Sequence, residues 1–224
     1  STPECIQDAD VVVIIVGTPV DEHANPDPNA VLSAIHECLP HLNKSQLVML
    51  RSTVYPGVTR QVEKVLSDTC PGIDVAFCPE RIVEGHALQE LRELPQIIGA
   101  RTDSSADKAL SLFESLGVSG YLVSPEEAEL AKLFTNAWRY VKFASANQFW
   151  MMANDAGLDF SRIHSAITFE YARAEDLPGP GFAAGPCLFK DTAQLAAFSN
   201  NLFPLGNAAM QVNEGLPLYL VNRL

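Results

Sequence analysis

Short runs of β-branched and aliphatic residues alternate with helical patterns along the first half of the chain, and this alternation restricts the fold more than any other feature. The run DADVVVIIVGTPV at residues 8–20 ends in a Gly-Thr-Pro turn, and QLVMLRSTVYPGVT at residues 46–59 repeats the pattern. Unbroken apolar strands are typical of a parallel sheet covered on both faces. Because helical segments separate the strands, right-handed crossovers are expected. The sequence therefore predicts an α/β domain with a parallel sheet.

The remaining segments divide the chain into two parts near residue 122. Helices are predicted at residues 27–42, 58–70 and 103–117, with further strands beginning at residues 74, 94 and 119. From Ser124 the pattern becomes helical throughout. A Ser cap, Pro125 and early Glu residues predict one helix of about 30 residues that ends at Gly157. A shorter helix at residues 160–168 and two later ones complete an all-α part.

Composition excludes several classes of function. The 27 acidic residues outnumber the 15 basic ones and give a formal charge of -12, which argues against a broad nucleic-acid-binding face. Five dispersed cysteines predict reduced thiols and a cytoplasmic protein. The apolar run Val11 to Val16 is far shorter than the roughly 20 residues of a membrane span. The five histidines show no metal-ligand spacing, so no metal site is expected.

The segment GPGFAAGPCLFKDT at residues 179–192 combines a glycine-rich turn with a cysteine. Its glycines follow G-x-G-x-x-x-G spacing, and no strand precedes them, so it is not a dinucleotide fingerprint. We expect a flexible loop, then Cys187, then a helix beginning near Lys190 or Asp191. A thiol beside a helix N-terminus and a lysine suits a nucleophile. The alternative is that Cys187 is a small buried hydrophobe.

Two further groups of polar residues are candidates for a site. One follows the predicted strands, whose carboxyl ends border the ligand crevice of a parallel sheet, and comprises Thr18, Ser52, Thr53, Glu80 and Glu84. Ordinary turn chemistry and surface carboxylates are the alternatives there. The other lies on one face of the long helix and comprises Lys132, Asn136 and Arg139, where a solvated stripe is the alternative.

Five motifs in order, VGTPV, STVYPGVT, CPERIVEG, ELAKLFTNAW and GFAAGPCLFKD, resemble the UDP-glucose/GDP-mannose dehydrogenase family of nucleotide-sugar 6-dehydrogenases. Family members have an NAD-binding Rossmann domain, a helical dimerisation domain built on a long helix, and a nucleotide-sugar-binding domain. The resemblance implies that residues 1–122 are the C-terminal part of the first domain and residues 123–224 the central domain. We therefore expect a fragment that lacks the first half of the NAD domain and the third domain.

The resemblance also implies a chemistry, the oxidation of a primary alcohol to a carboxylate by two hydride transfers to NAD. Cys187 would capture the aldehyde as a thiohemiacetal, which becomes a thioester that water cleaves. Lys132 would stabilise the oxyanion and Asn136 would hold the sugar. Asp191 and Thr53 would position or deprotonate water, and Glu80 would be the base for thioester hydrolysis.

The family's binding residues map onto further positions. The matches to contacts with NAD are Val16, Thr18, Pro19, Ser52, Thr53 and Glu84. The matches on the substrate side are Glu80, Lys132, Asn136, Arg173, Gly181, Phe182 and Lys190. The expected partners are a nucleotide-sugar substrate and a second copy of the chain, with no nucleic acid and no membrane.

Alternatives remain open at this stage. The chain could serve only as a dimerisation module without activity. It could instead belong to a 3-hydroxyacid or 6-phosphogluconate type of dehydrogenase, which uses a helix Lys and Asn without a thiol, although Cys187 followed by LFKD argues against this. The residues AAGP at 183–186 replace the Gly-Gly and Ser that precede the cysteine in many UDP-glucose enzymes, which leaves the sugar and the nucleotide undetermined.

Overall fold

The structure is a computed structural model of the 224-residue chain and describes residues 3–18, 29–83, 85–183 and 186–223. The chain forms two compact units, Ser1–Lys132 and Leu133–Leu224. The first unit is α/β and the second is all-α, as the sequence predicts. Most of the first unit precedes the long helix, but the first two turns of that helix also belong to it.

A five-stranded sheet forms the centre of the first unit. Its strands lie in the order of the sequence and are β1 (Val11–Ile14), β2 (Leu47–Leu50), β3 (Asp74–Phe77), β4 (Gln96–Ala100) and β5 (Gly120–Val123). Strands β1, β2 and β3 run parallel to one another, and β4 runs parallel to β5. Strand β2 is buried at all four positions, as expected for an apolar strand covered on both faces.

The pairing of β3 with β4 is antiparallel, so the expected parallel sheet is mixed at this point. A parallel connection normally uses a crossover helix that packs on the sheet. In the described part of this connection the one helix is α3 (Ala87–Glu93), which the sequence did not predict and which buries none of its residues. The chain therefore turns back alongside β3 instead of crossing over the sheet.

Three longer helices surround this sheet: α1 (Asn29–Cys38), α2 (Val58–Thr69) and α4 (Asp103–Ser115). Their apolar faces contribute Val31, Ile35, Val62 and Leu66 to one core cluster, and Ala109 and Phe113 to another. Helix α1 ends at Cys38, four residues before the predicted end. Its continuation Leu39–His41 is a 3-10 turn that contains Pro40, whose ring removes a backbone donor.

The long helix α5 (Pro125–Asp155) has 31 residues, which confirms the prediction of a single helix. Ser124 and Glu127 form a reciprocal cap at its start, with the Ser124 N–H donating to Glu127 Oε2 at 2.8 Å. In the first unit, α5 packs closely over β4. A Cβ atom on Gly99 would lie 2.7 Å from Ala128 Cβ and 2.9 Å from Pro125 Cα, so only glycine allows this approach.

The second unit consists of the rest of α5 with α6 (Phe160–Thr168), α7 (Pro186–Phe198) and α8 (Pro204–Val221). Its core cluster joins Tyr140 and Ala144 of α5 to Leu188 of α7 and Ala209 of α8. Among the described residues, no helix has the length and apolar character that crossing a bilayer requires.

Helix α7 begins at Pro186, which corrects the predicted start near Lys190 or Asp191. Proline suits the first turn of a helix because its missing N–H would have no partner there. Cys187 therefore lies inside the first turn of α7 instead of in the loop before the helix.

Candidate functional site

The strand ends of the first unit bring Val16 and Ser52 together. The Ser52 hydroxyl donates to the Val16 carbonyl at 2.8 Å and accepts from the Val16 N–H at 2.8 Å. Both residues follow parallel strands that end at the same edge of the sheet. This edge is where ligands bind in open α/β sheets. The two predicted cofactor residues thus stabilise each other's position at the expected edge.

Glu80 follows β3 at the same edge and forms an ion pair with Arg51, which follows β2. Burial alone would raise the pKa of Glu80, but the Arg51 guanidinium and the backbone N–H groups of Ile82 and Arg81 lower it below its usual value. The carboxylate is therefore ionised near neutral pH. Arg51 is buried, donates to Gln96 Oε1 at 3.3 Å and lies over the Phe113 ring.

The other predicted residues of the first unit lie on separate elements. Thr18 and Thr53 are half-buried beyond β1 and β2, and Lys132 is buried on α5. Pro19 and Glu84, which the sequence also assigns to the cofactor, lie outside the described residues.

In the second unit, helices α5 and α7 bring three predicted residues together. Asn136 Nδ2 donates to Asp191 Oδ2 at 2.6 Å, and both side chains are buried. The Lys190 ammonium lies 3.8 Å from Asp191 Oδ1. A buried carboxylate is stable only when hydrogen bonds or opposite charges compensate for its lost hydration. Asn136 and Lys190 both provide this compensation to Asp191.

Cys187 is an exposed free thiol, one helical turn before Asp191 on α7. The buried-hydrophobe alternative therefore does not apply to Cys187. Cys78, in contrast, is fully buried, and burial raises its pKa to about 12. Among these two thiols only Cys187 is accessible to a substrate.

The glycine-rich loop before α7 is held by Asn147, a residue that the sequence motifs do not include. Asn147 of α5 accepts a hydrogen bond from the Gly181 N–H at 2.8 Å and donates one to the Gly181 carbonyl at 2.9 Å. Phe182, the next residue, is 63% exposed. Trp150, Leu216 and Leu220 line an apolar pocket of about 280 Å³ together with Pro180, Gly181 and Phe182.

Arg173 is exposed in the segment between α6 and this loop, and its guanidinium lies 5.3 Å from the centre of the Tyr171 ring. Cation–π stacking of this kind holds a side chain weakly at the surface. Arg139, which the sequence places on the same helix face as Lys132 and Asn136, is half-buried on α5.

Three supporting residues were missed: Arg51, Glu129 and Asn147. Arg51 directly precedes Ser52, and Glu129 lies three residues before Lys132, so proximity to the motifs was the available signal. Glu129 is buried and accepts hydrogen bonds from the Gly57 N–H at 2.6 Å and the Thr59 N–H at 2.8 Å. It thereby caps the N-terminus of α2 from the start of α5.

Comparison with protein families shows what this arrangement belongs to. Residues 1–117 match the NAD binding domain of the UDP-glucose/GDP-mannose dehydrogenase family, and residues 126–215 match its central domain. The chain belongs to the UDP-glucose/GDP-mannose dehydrogenase family. NAD is therefore the cofactor of the domain that the first unit represents, and the resemblance inferred from the five motifs is confirmed.

Curated relatives within this family act on several sugars. The UDP-N-acetyl-D-mannosamine dehydrogenase of Methanocaldococcus jannaschii is 34% identical over 96% of this chain and 51% of its own length. The NDP-N-acetyl-D-galactosaminuronic acid dehydrogenase of Ralstonia nicotianae is 32% identical over 96% of this chain and 54% of its own length. The chain thus spans about half the length of these curated relatives.

Solved structures of the family have the same fold. A UDP-glucose dehydrogenase from Pyrobaculum islandicum matches 100% of this chain and 54% of its own, with a TM-score of 0.90 and 28% identity. The UDP-D-ManNAc dehydrogenase of Pyrococcus horikoshii matches 99% of this chain and 54% of its own, with a TM-score of 0.90 and 27% identity. The Rossmann-like fold and its helical extension are therefore those of this dehydrogenase family.

Proposed function

We propose that this chain supplies cofactor and catalytic residues for the NAD-dependent oxidation of a nucleotide sugar at C6, from alcohol to carboxylate. The observation that carries the proposal is the arrangement on α7. An exposed thiol, Cys187, lies one turn from a buried carboxylate that Asn136 and Lys190 hold in place. This combination suits covalent capture of an aldehyde followed by hydrolysis.

The proposed reaction removes four electrons from the substrate in two steps. NAD, when bound, accepts a hydride in each oxidation. The C6 alcohol first loses a hydride and a proton to give an aldehyde. Cys187 Sγ then bonds to the aldehyde carbon, and the thiohemiacetal loses a second hydride and proton to give a thioester. Water breaks the C–S bond, which releases the carboxylate and restores the thiol.

The chain's polar residues have distinct proposed roles in these steps. Lys132 stabilises the negative oxygen that develops at C6. Asn136 holds the sugar, and its bond to Asp191 fixes the orientation of its amide. Asp191 and Thr53 position the attacking water. Glu80 accepts a proton during thioester hydrolysis, for which its ionised state near neutral pH is the required form.

The cofactor residues fit a dinucleotide by the chemistry of their donors and acceptors. Backbone groups at Val16 and hydroxyl groups at Ser52, Thr53 and Thr18 can bind ribose hydroxyls and the nicotinamide amide. The mutual hydrogen bonds of Val16 and Ser52 keep these groups in place at the sheet edge. Pro19 and Glu84 complete the proposed set.

The substrate side is proposed to consist of Arg173, Gly181, Phe182 and Lys190 together with Glu80, Lys132 and Asn136. The names of the M. jannaschii and R. nicotianae relatives both specify N-acetylated sugars. We therefore place a UDP-N-acetylhexosamine ahead of UDP-glucose as the substrate class.

A second copy of the chain is the proposed partner. Four large apolar side chains on α5, Phe134, Trp138, Phe149 and Met152, are between 47% and 61% exposed. Their spacing of four, eleven and three residues places them along one side of the helix. A two-fold dimer would cover this stripe, and such dimers are the commonest soluble oligomers.

Turnover measurements on the gene product that contains this chain test the proposed reaction. UDP-N-acetylmannosamine and UDP-glucose are supplied separately with NAD, and NADH and uronate are both quantified. Two NADH per uronate are expected. A ratio of one NADH per substrate with no carboxylate would indicate a dehydrogenase without thiol capture, and no turnover of either sugar would favour a role in assembly alone.

A further inference from the structure

We propose that Asn147 is a positioning residue, which fixes the glycine-rich loop at residues 179–183 and thereby sets the approach of the substrate to Cys187. The effect on catalysis rests on the proposed function. The fixing of the loop by Asn147 does not depend on it. Asn147 is fully buried in the second half of α5 and makes two hydrogen bonds to the backbone of one loop residue, Gly181.

Hydrogen bonds fix the orientation of the Asn147 side-chain amide, so the amide cannot flip. Its Oδ1 accepts from the Gly181 N–H, while its Nδ2 donates to the Gly181 carbonyl and to Asn213 Oδ1 at 2.9 Å. Asn213 is held in turn, since its own Nδ2 donates to the Tyr140 carbonyl at 3.0 Å. Because a side-chain amide offers two donors and one acceptor group, every polar group of Asn147 is engaged.

These bonds replace secondary structure for the loop. Helix α6 ends at Thr168 and α7 begins at Pro186, so Gly181 belongs to neither helix. A half-buried backbone N–H and carbonyl need partners, and Asn147 supplies both, as a neighbouring strand would. A rigid helix holds this support, which is a more precise platform than another loop.

The described fold does not require glycine at position 181. Its φ is not positive, and a Cβ atom built on it would meet no described atom within 4 Å. Because Gly181 has no side chain and no described neighbouring residue fills the space, a ligand can approach the backbone there. The neighbouring Phe182 is 63% exposed on the same loop.

Gly181 is close to Cys187 along the chain, so a shift of the loop at Gly181 should also affect the position of the substrate relative to the thiol. Cys187 lies six residues after Gly181, in the first turn of α7. If Gly181 is released, the loop that contacts the sugar loses its fixed point, and the aldehyde carbon no longer reaches Sγ in one defined geometry. A misplacement of about 1 Å in a reacting pair can cost about 100-fold in rate.

Hydrogen exchange on the 224-residue chain tests the fixing of the loop. In the wild-type protein the Gly181 amide should exchange at least about 10-fold more slowly than the amide of exposed Gly179, because only a bonded amide must open before it exchanges. Asn147→Ala should abolish this difference. The matched control is Asn154→Ala on the same helix, which removes a 3.0 Å bond to Tyr219 OH and should leave Gly181 protected. Equal exchange at Gly179 and Gly181 in the wild type would overturn the proposal even if Asn147→Ala does not fold.

Steady-state kinetics of the gene product that contains this chain test the effect on catalysis. Asn147→Ala should lower kcat for uronate formation about 10- to 100-fold and leave the KM for NAD unchanged, while Asn154→Ala retains near wild-type kcat. Free aldehyde, trapped with a hydrazine, should increase in the variant. Equal kcat in the two variants would refute the positioning role. If the wild type shows no dehydrogenase activity but Gly181 still depends on Asn147 for protection, the proposed function fails while the fixing of the loop stands.

Discussion

Asn136 and Asp191 form a buried hydrogen bond between helices α5 and α7, with Asn136 Nδ2 lying 2.6 Å from Asp191 Oδ2. The bond stabilises a carboxylate that is only 1% exposed. It therefore connects the stability of the second unit to the geometry of the residues around Cys187.

Replacing Asn136 with Ala should lower the free energy of unfolding by about 1.5–3 kcal/mol, because hydrogen bonds to a charged group are the stronger ones and a buried carboxylate would lose its donor. Urea unfolding of the single variants Asn136→Ala and Asp191→Asn and of the double variant gives the coupling between the two. Gln148→Ala, an exposed position of the same helix, is the control. Additivity within about 0.5 kcal/mol would show that the two side chains do not interact in solution.

Cys187→Ser in the gene product that contains this chain should stop uronate formation, because a serine hydroxyl is a far weaker nucleophile than a thiolate. The assay counts NADH and uronate separately. Cys5→Ser, which replaces the other exposed cysteine, should retain full activity. A Cys187→Ser variant that still forms two NADH per sugar at near wild-type rate would exclude Cys187 as the nucleophile.

Acid should weaken the first unit partly through Glu126. Burial alone would raise the pKa of Glu126, but hydrogen bonds from Arg101, from its own backbone N–H and from Arg60 lower it to about 2. A lowered pKa in the folded state stabilises the protein above the ordinary value of 4.5, and this contribution is lost as the pH falls towards 2. Since the side chain is 34% exposed, solvent screening reduces the effect.

Urea midpoints of Glu126→Gln and the wild type, compared at pH 7 and near pH 2, measure this contribution. The variant should be less stable at pH 7, and the difference should shrink at the lower pH. Glu175→Gln, at an exposed position in the second unit, should show no such change. A constant difference at both pH values would mean that the ion pairs of Glu126 do not form.

The 224-residue chain should form a dimer at tens of micromolar, because the apolar stripe on α5 is otherwise exposed to water. Light scattering gives the mass. Trp138→Glu should yield a monomer, since a charge would be buried within the covered stripe. Leu88→Glu, which changes an 85% exposed leucine on α3, should remain a dimer. A monomer mass for the wild-type chain would contradict this interface.

The same chain should show no calorimetric binding of NAD at micromolar cofactor. Dinucleotide pyrophosphates are held chiefly by a glycine turn and the helix that follows it, and the sequence has no G-x-G-x-x-G segment. Titration of NAD into buffer sets the heat of dilution. A clear micromolar isotherm would mean that the strand-end residues around Ser52 bind the cofactor without that turn.

Local signals predicted the long helix well and the direction of β4 badly. The start of α5 is formed by Ser124, Pro125 and Glu127. Because the capping contacts join residues within four positions of one another, the local sequence is enough to predict where the helix begins. The apolar pattern of a strand has a period of two in either direction, so Gln96–Ala100 reveals a strand but not its orientation. The antiparallel pairing goes with a connection through α3, a helix that buries none of its residues, and the strand pattern contains no sign of it.

In the candidate site, too, the sequence predicted some residues and missed others. The residues of the motifs could be named, and Asn136 and Asp191 do meet. Their supporting residues were missed, because the groups that these residues contact lie far away along the chain. Arg51 reaches Glu80 through the register of β2 with β3, and Asn147 reaches Gly181 from a different element. The start of α7 was misplaced because glycine and proline before Cys187 suggest a loop, although proline also fits the first turn of a helix.

The contact of Glu129 with Gly57 and Thr59 also has a consequence for how the protein is made. The N–H groups at the start of α2 are synthesised about seventy residues before the carboxylate that binds them. Until the ribosome has released the first two turns of α5, these donors lack the Glu129 carboxylate and bond to water instead, so α2 receives its cap only after the last strand of the sheet has been synthesised. At the usual elongation rate of about 5–20 residues per second, the start of α2 therefore waits several seconds after its own synthesis for the carboxylate that caps it.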